Sequence, residues 1–225
     1  MLEIDRRVCF RLGDASPAAK LPGPLRLEDR QAEALSELLQ VFACGEESAP
    51  LAFARFEGAP LEEAARRGLA RIVGEELIHE RLLRGLRAAL PAPARDRELR
   101  HALFRFYHGI AYVDVGLHLA SIASLDSAAC LILSALLQPH SILAHEANVA
   151  DILRRIHRDE ATHVRLSRRI AADLVGRDVI GAIAESTRCG LVGVLARRGA
   201  AFERLGLDAG RLFQRICRVP DGLFR

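Results

Sequence analysis

Glu75-Glu76-Leu77-Ile78-His79 and Asp159-Glu160-Ala161-Thr162-His163 carry one pattern, an acid followed by Glu-x-x-His. On a helix, positions i and i+3 share a face, so Glu76 with His79, and Glu160 with His163, can each reach one metal ion. With 17 Glu and 8 His in 225 residues, chance alone gives roughly 0.6 such matches. Placement makes the pair informative. Glu76 follows Leu69 and Ile72 by seven and four residues, and Glu160 follows Leu153 and Ile156 by the same intervals. Both motifs therefore lie on apolar stripes, where an unpartnered charge is costly.

The surrounding sequence reads as all-α. Ala, Leu and Arg dominate, and all three favour helix. Half of the residues are hydrophobic, which allows a sizeable core. Residues 1–29 hold Pro17, Pro22, Pro24, Gly13 and Gly23 and read as an extended leader. A bundle is expected over 30–177 and a helical extension over 178–225. Helix 1 is expected from about Arg30 to Phe56, ended by Gly58-Ala59-Pro60, and helix 2 from about Leu61 to Leu90, ended by Pro91-Ala92-Pro93. Helix 3 is expected from about Arg97 to Gln138, with breaks weighed at Gly109 and Gly116, and helix 4 from about Glu146 to Val175. The tail is expected to form one or two shorter helices around Gly190 and Gly206.

Two further acids face the core. Glu46 follows Leu39 and Phe42 by seven and four and precedes Ala49 and Phe53 by three and seven, whereas its neighbour Glu47 is turned about 100° away. Asp126 has Leu119, Ile122, Ala129 and Leu133 at −7, −4, +3 and +7. Asp126 lies about 13 residues before the turn joining helices 3 and 4, and Glu160 about 14 after it, which sets them at one height in antiparallel helices. Glu46 and Glu76 flank the first turn in a similar way. Glu46, Glu76, His79, Asp126, Glu160 and His163 can thus meet in one layer.

This order of acid, Glu-x-x-His, acid, and Asp-Glu-x-x-His resembles the ferritin-like di-iron superfamily of rubrerythrins, ribonucleotide reductase small subunits and arylamine N-oxygenases. Phe42-Ala43-Cys44-Gly45-Glu46-Glu47-Ser48-Ala49 is similar to a rubrerythrin first helix. The resemblance covers roughly 31–175 and implies a ferritin-like four-helix bundle with two iron ions, manganese or a mixed Mn/Fe pair being alternatives with the same ligands. It also implies an O₂-dependent oxidoreductase that hydroxylates, N-oxygenates or desaturates a small-molecule or carrier-bound substrate with an external electron donor. Iron handling or peroxide reduction, as in ferritins and rubrerythrins, is the alternative. No CxxC pair exists for a rubrerythrin's extra iron, and the extensions suit the walls of a substrate pocket. Asp126 stands where most of the family has Glu, and Pro50, four residues after Glu46, removes a helical hydrogen bond. If Gly45 ended one helix and Ser48 capped the next, the ligand would come from a junction.

Other candidates stand beside plainer readings. His157, three before Glu160, is an extra ligand or a polar surface residue. Asp114 and His118 are second-layer or substrate-pocket groups, or a structural polar pair. Tyr107 and Tyr112 read as packing or as neighbours of the pocket, and His140, His145 and Glu146 as capping groups. The formal charge of +3 and pI near 8.8 demand no nucleic-acid partner. Five separated cysteines and an N-terminus without signal-peptide order suggest the cytoplasm, with Cys44 and Cys130 as small core residues. Leu119–Leu137 is apolar apart from central Asp126, and a buried bundle helix explains it better than a membrane span. A homodimer is the expected assembly.

Overall fold

A computed structural model describes residues 18–218, apart from 22, 55, 57 and 94–96. Residues 1–17 and 22 of the leader and 219–225 of the extension lie outside the described residues, and with them Cys9, Gly13, Pro17 and Pro22. The described residues form helices and turns without strands. The helices that carry the candidate ligands are α1 (Asp29–Ala54), α2 (Glu63–Ala88), α4 (Val115–Leu136) and α5 (Ala147–Val175). They are joined by α3 (Arg97–Gly109) and followed by α6 (Arg177–Leu195), α7 (Gly199–Arg204) and α8 (Ala209–Cys217).

The expected third helix is two. The last turn of α3 tightens as Ile110 N–H donates to Phe106 and Ala111 N–H to His108. Asp114 then caps α4, its carboxylate accepting the Leu117 N–H at 2.9 Å. Asp114 is therefore a cap rather than half of a pair with His118. α1 runs unbroken through Pro50, so the junction at Gly45 does not form. Ser48 Oγ instead donates back to the Gly45 carbonyl at 2.7 Å. α5 ends where Gly176 turns to φ 79°, a conformation that favours glycine. The tail is more helical than expected. α6 runs 19 residues straight through Gly190. A Cβ there would sit 3.0 Å from the Phe106 ring, so the glycine brings α6 against α3.

α1 packs on α2, α4 along α5, and α2 against α5, while α6 lies along α4 and α7 and α8 close over α1, α4 and α6. Residues 18–21 and 23–28 run over this assembly. Ala19 N–H donates to the Arg81 carbonyl, and Asn148 Nδ2 donates to the Gly23 carbonyl. Gly85 is required beneath this strap, because a Cβ there would lie 2.2 Å from the Ala19 carbonyl oxygen. Glu146 stands at the N-cap of α5, as expected, while its carboxylate accepts the Arg26 N–H at 2.8 Å rather than a helix N–H.

The buried apolar residues fall into two clusters. One holds Leu35, Leu38, Leu83, Leu86, Ile132, Leu136, Leu153 and Ile156. The other holds Phe53, Leu69, Ile72, Leu119, Ile122 and Ile170. On each of α1, α2, α4 and α5 the candidate ligands fall in sequence between the two, so a polar layer divides the core.

By length and composition α4 and the run Arg177–Arg204 would each suffice to cross a membrane. In the fold, 67 % of the apolar window of α4 is buried. Cys44 is buried and disulfide-bonded, which corrects its reading as a simple core thiol. Cys189 and Cys217 are free, with their sulfurs 3.7 Å apart.

Candidate metal centre

The two Glu-x-x-His motifs face each other across α2 and α5. Their imidazole rings lie 5.8 Å apart and both side chains are fully buried. Each ring turns Nδ1 inward. His79 Nδ1 is 3.5 Å from Glu46 Oε2, 3.7 Å from Glu76 Oε2 and 3.5 Å from Glu160 Oε1. His163 Nδ1 is 3.0 Å from Glu76 Oε1 and 3.6 Å from Glu160 Oε2. Glu76 and Glu160 therefore each offer one oxygen to either histidine, which is the disposition of a carboxylate shared by two sites. Ligand atoms of Glu46, Glu76, His79 and Glu160 lie within 4.8 Å of one another, and so do those of Asp126, Glu160 and His163.

Glu46 Oε2, Asp126 Oδ2 and both Nδ1 atoms are buried without a hydrogen-bond partner. Orphaned buried polar atoms are rare and costly. Here they converge, and their oxygen and imidazole chemistry suits a divalent metal. The buried Glu/His group could hold a metal ion on that ground.

The outer face of each ring is held by the opposite helix. His79 Nε2 donates to Asp159 Oδ2 at 3.1 Å, and His163 Nε2 donates to Glu75 Oε2 at 2.9 Å. Glu75 is steadied in turn by Arg71 at 2.8 Å. The acids that precede the motifs are thus crossed clamps: each fixes the histidine of the other motif, leaving Nδ1 free for an ion. Their placement before Glu-x-x-His was visible in the sequence. Their role was not, because it depends on the register between α2 and α5.

The remaining candidates separate. Glu47 is buried but outside both groups, and His157 is half-buried and likewise outside. His118 is buried, donates from Nδ1 to the Tyr112 carbonyl at 3.1 Å, and stacks edge-on against Phe56. It lines a cavity rather than the metal layer. That cavity, about 180 Å³, has Glu46, Glu76, Asp126 and Glu160 at its floor and is walled by α1, α3, α4 and α6. Tyr107 also lines it, with its hydroxyl over Gly45, where a Cβ would come within 2.9 Å. Tyr107 is therefore more than packing. Burial and then the charge of Glu46 push its hydroxyl up, so it remains protonated.

Electrostatics follow from this crowding. Burial, then the charge of Glu76, holds the Glu46 carboxyl well above its usual range. Burial, then the charge of Glu160, does the same to Asp126. Burial also opposes charge on the rings, but Glu160 and Glu46 outweigh it at His79, and Glu160 and Glu76 push His163 up to about 11. For Glu76 burial acts upward, yet the close approach of Glu46 and of the two imidazoles outweighs it and holds the carboxyl low. Without metal, protons supply the positive charge that the layer needs.

Comparison with protein-family models, curated proteins and solved structures finds no match. The assignment of the site rests on its side chains.

Two predictions follow from the layer. Asp159→Asn or Glu75→Gln should weaken divalent-metal affinity by roughly 10- to 100-fold while preserving helix content, as chelator competition and circular dichroism will read. The raised imidazoles hold more protons folded than unfolded, so the stability they contribute to the metal-free protein should be lost as pH rises from about 6.5, the unfolded histidine value, toward 11. Bound metal should flatten that decline, since it replaces the protons; denaturant midpoints across pH measure both curves.

Proposed function

We propose that the chain is a ferritin-like di-iron oxygenase or oxidase that uses O₂ to oxidise a small organic substrate. One observation carries the reading: Glu76 and Glu160 each present an oxygen to both His79 and His163, at the floor of a largely apolar cavity. In this proposal α1, α2, α4 and α5 are the four helices of the bundle, α1 and α4 giving one acid each and α2 and α5 a Glu-x-x-His each.

Glu46 and His79 would be the terminal ligands of one site, Asp126 and His163 those of the other, with Glu76 and Glu160 shared. Two divalent ions would balance four carboxylates and leave both imidazoles neutral. A bound iron pair supplies the electrons that reduce O₂ and the oxidising power applied to the substrate. The protein's own part is preorganisation. Asp159 and Glu75 fix the tautomer and aim of each histidine. The two apolar clusters exclude bulk water from the layer. The hydroxyl of Tyr107, kept protonated by the surrounding acids, provides a hydrogen-bond donor beside Glu46.

Asp126 is shorter than Glu and meets the layer through Glu160 and His163, which supports an asymmetric pair of sites. The cavity favours substrate oxidation over iron storage, because a storage site needs no apolar chamber ending on its ligands. Iron rather than manganese, an external electron donor and a homodimer belong to the same proposal.

Anaerobic loading with Fe(II) should give about two ions per chain. A pulse of O₂ should then be consumed with oxidation of the bound iron. His79→Ala combined with His163→Ala should abolish both. A stoichiometry well below two that is unchanged in the double variant would refute the di-metal reading, and mineralised iron in a many-subunit shell would refute the oxygenase.

A further inference from the structure

We propose that the cavity over the metal-ligand floor binds a small, uncharged, mainly apolar molecule about the size of one ring or two fused rings. The inference rests on the di-iron reading for the fate of that molecule, and on the cavity alone for its binding.

Size comes first. The cavity volume is about 180 Å³. A dry apolar cavity of roughly 150 Å³ accepts one benzene, so this chamber suits a compact ring system rather than a long chain or a nucleotide. Its apolar walls include Phe53 from α1, Ile122, Leu125 and Ala129 from α4, and Leu191 and Leu195 from α6. α6 belongs to the C-terminal extension, which therefore shapes the chamber and does not merely cover it.

Charge comes second. Among the described residues, no Lys or Arg lines the chamber. Its four floor carboxylates would be neutralised by two divalent ions. An anionic ligand would then be desolvated without a counter-charge, and a cation would find no net negative floor. Polar atoms are few: Tyr107, His108, His118 and Ser48 lie among the lining residues. They can orient one or two hydrogen-bonding groups on a neutral ring, the usual way a largely apolar site gains specificity.

The absence of Trp from the chain allows a direct test. Indole, a neutral two-ring probe, can be excited beyond the tyrosine band, so the emission belongs to the probe. Full-length protein, metal-free and loaded with redox-silent Zn(II), is titrated with indole and with indole-3-carboxylate. We expect saturable binding of one indole per chain in both forms, with the anion at least tenfold weaker in each. Ala129→Phe, filling the chamber from α4, and Ala52→Phe, filling it from α1, should each remove saturable binding. Circular dichroism checks that each variant is folded, and two walls are used so that one misfolded variant does not end the test.

No saturable indole binding by the wild type, equal binding of the anion in either form, or binding retained by a folded Phe variant would overturn the proposal. Indole binding by a protein that fails to take up two metals would leave it standing and would count against the di-iron reading instead.

Discussion

Glu46, Glu76, Glu160 and two imidazoles are buried in one layer with the half-buried Asp126, and the ion pairs of the layer are within it and with Glu75 and Asp159. Burying charge this way is costly unless something positive compensates for it. Protons do so in part, which is why Glu46, Asp126 and both histidines hold theirs so firmly. Two divalent ions would do so more fully and would use the Nδ1 atoms that otherwise stand without partners. The apolar clusters on either side make the compensation necessary, because they keep water from solvating the layer. Burial of Leu35, Leu38 and Leu83 below, and of Ile72, Leu119 and Ile170 above, is thus linked to the chemistry of the site.

The periodicity of the sequence carries much of this arrangement. Helical spacing alone places Glu46, Glu76, Asp126 and Glu160 on core stripes, and counting from the turns sets them at one height. Those statements concern one helix, or two joined by a short loop, and local spacing suffices for them. The crossed clamps are different. Asp159 reaches His79 and Glu75 reaches His163 only once α2 and α5 are in register, over separations of 80 and 88 residues. The adjacent acids could be seen in the chain; the direction in which they point could not.

Other features were hidden for related reasons. The break between α3 and α4 needed the Asp114 cap more than either glycine that drew attention to it. Gly190 reads as an interruption, but α6 passes through it because Phe106 occupies the space that a side chain would fill. Gly45 reads as a weak point in α1 and proves to be the place where the Tyr107 hydroxyl approaches the ligand layer. Each depends on what another helix brings to the position. The cavity is the largest such case, since four separate elements must assemble before it exists.

The account stands on two ions sharing Glu76 and Glu160. Anomalous diffraction from Fe(II)-loaded crystals tests this most directly. Two iron peaks of similar height, roughly 3.5–4 Å apart and lying between His79 Nδ1 and His163 Nδ1, are the predicted result. A single peak, or iron held elsewhere with the six side chains bonded only to one another, would contradict it.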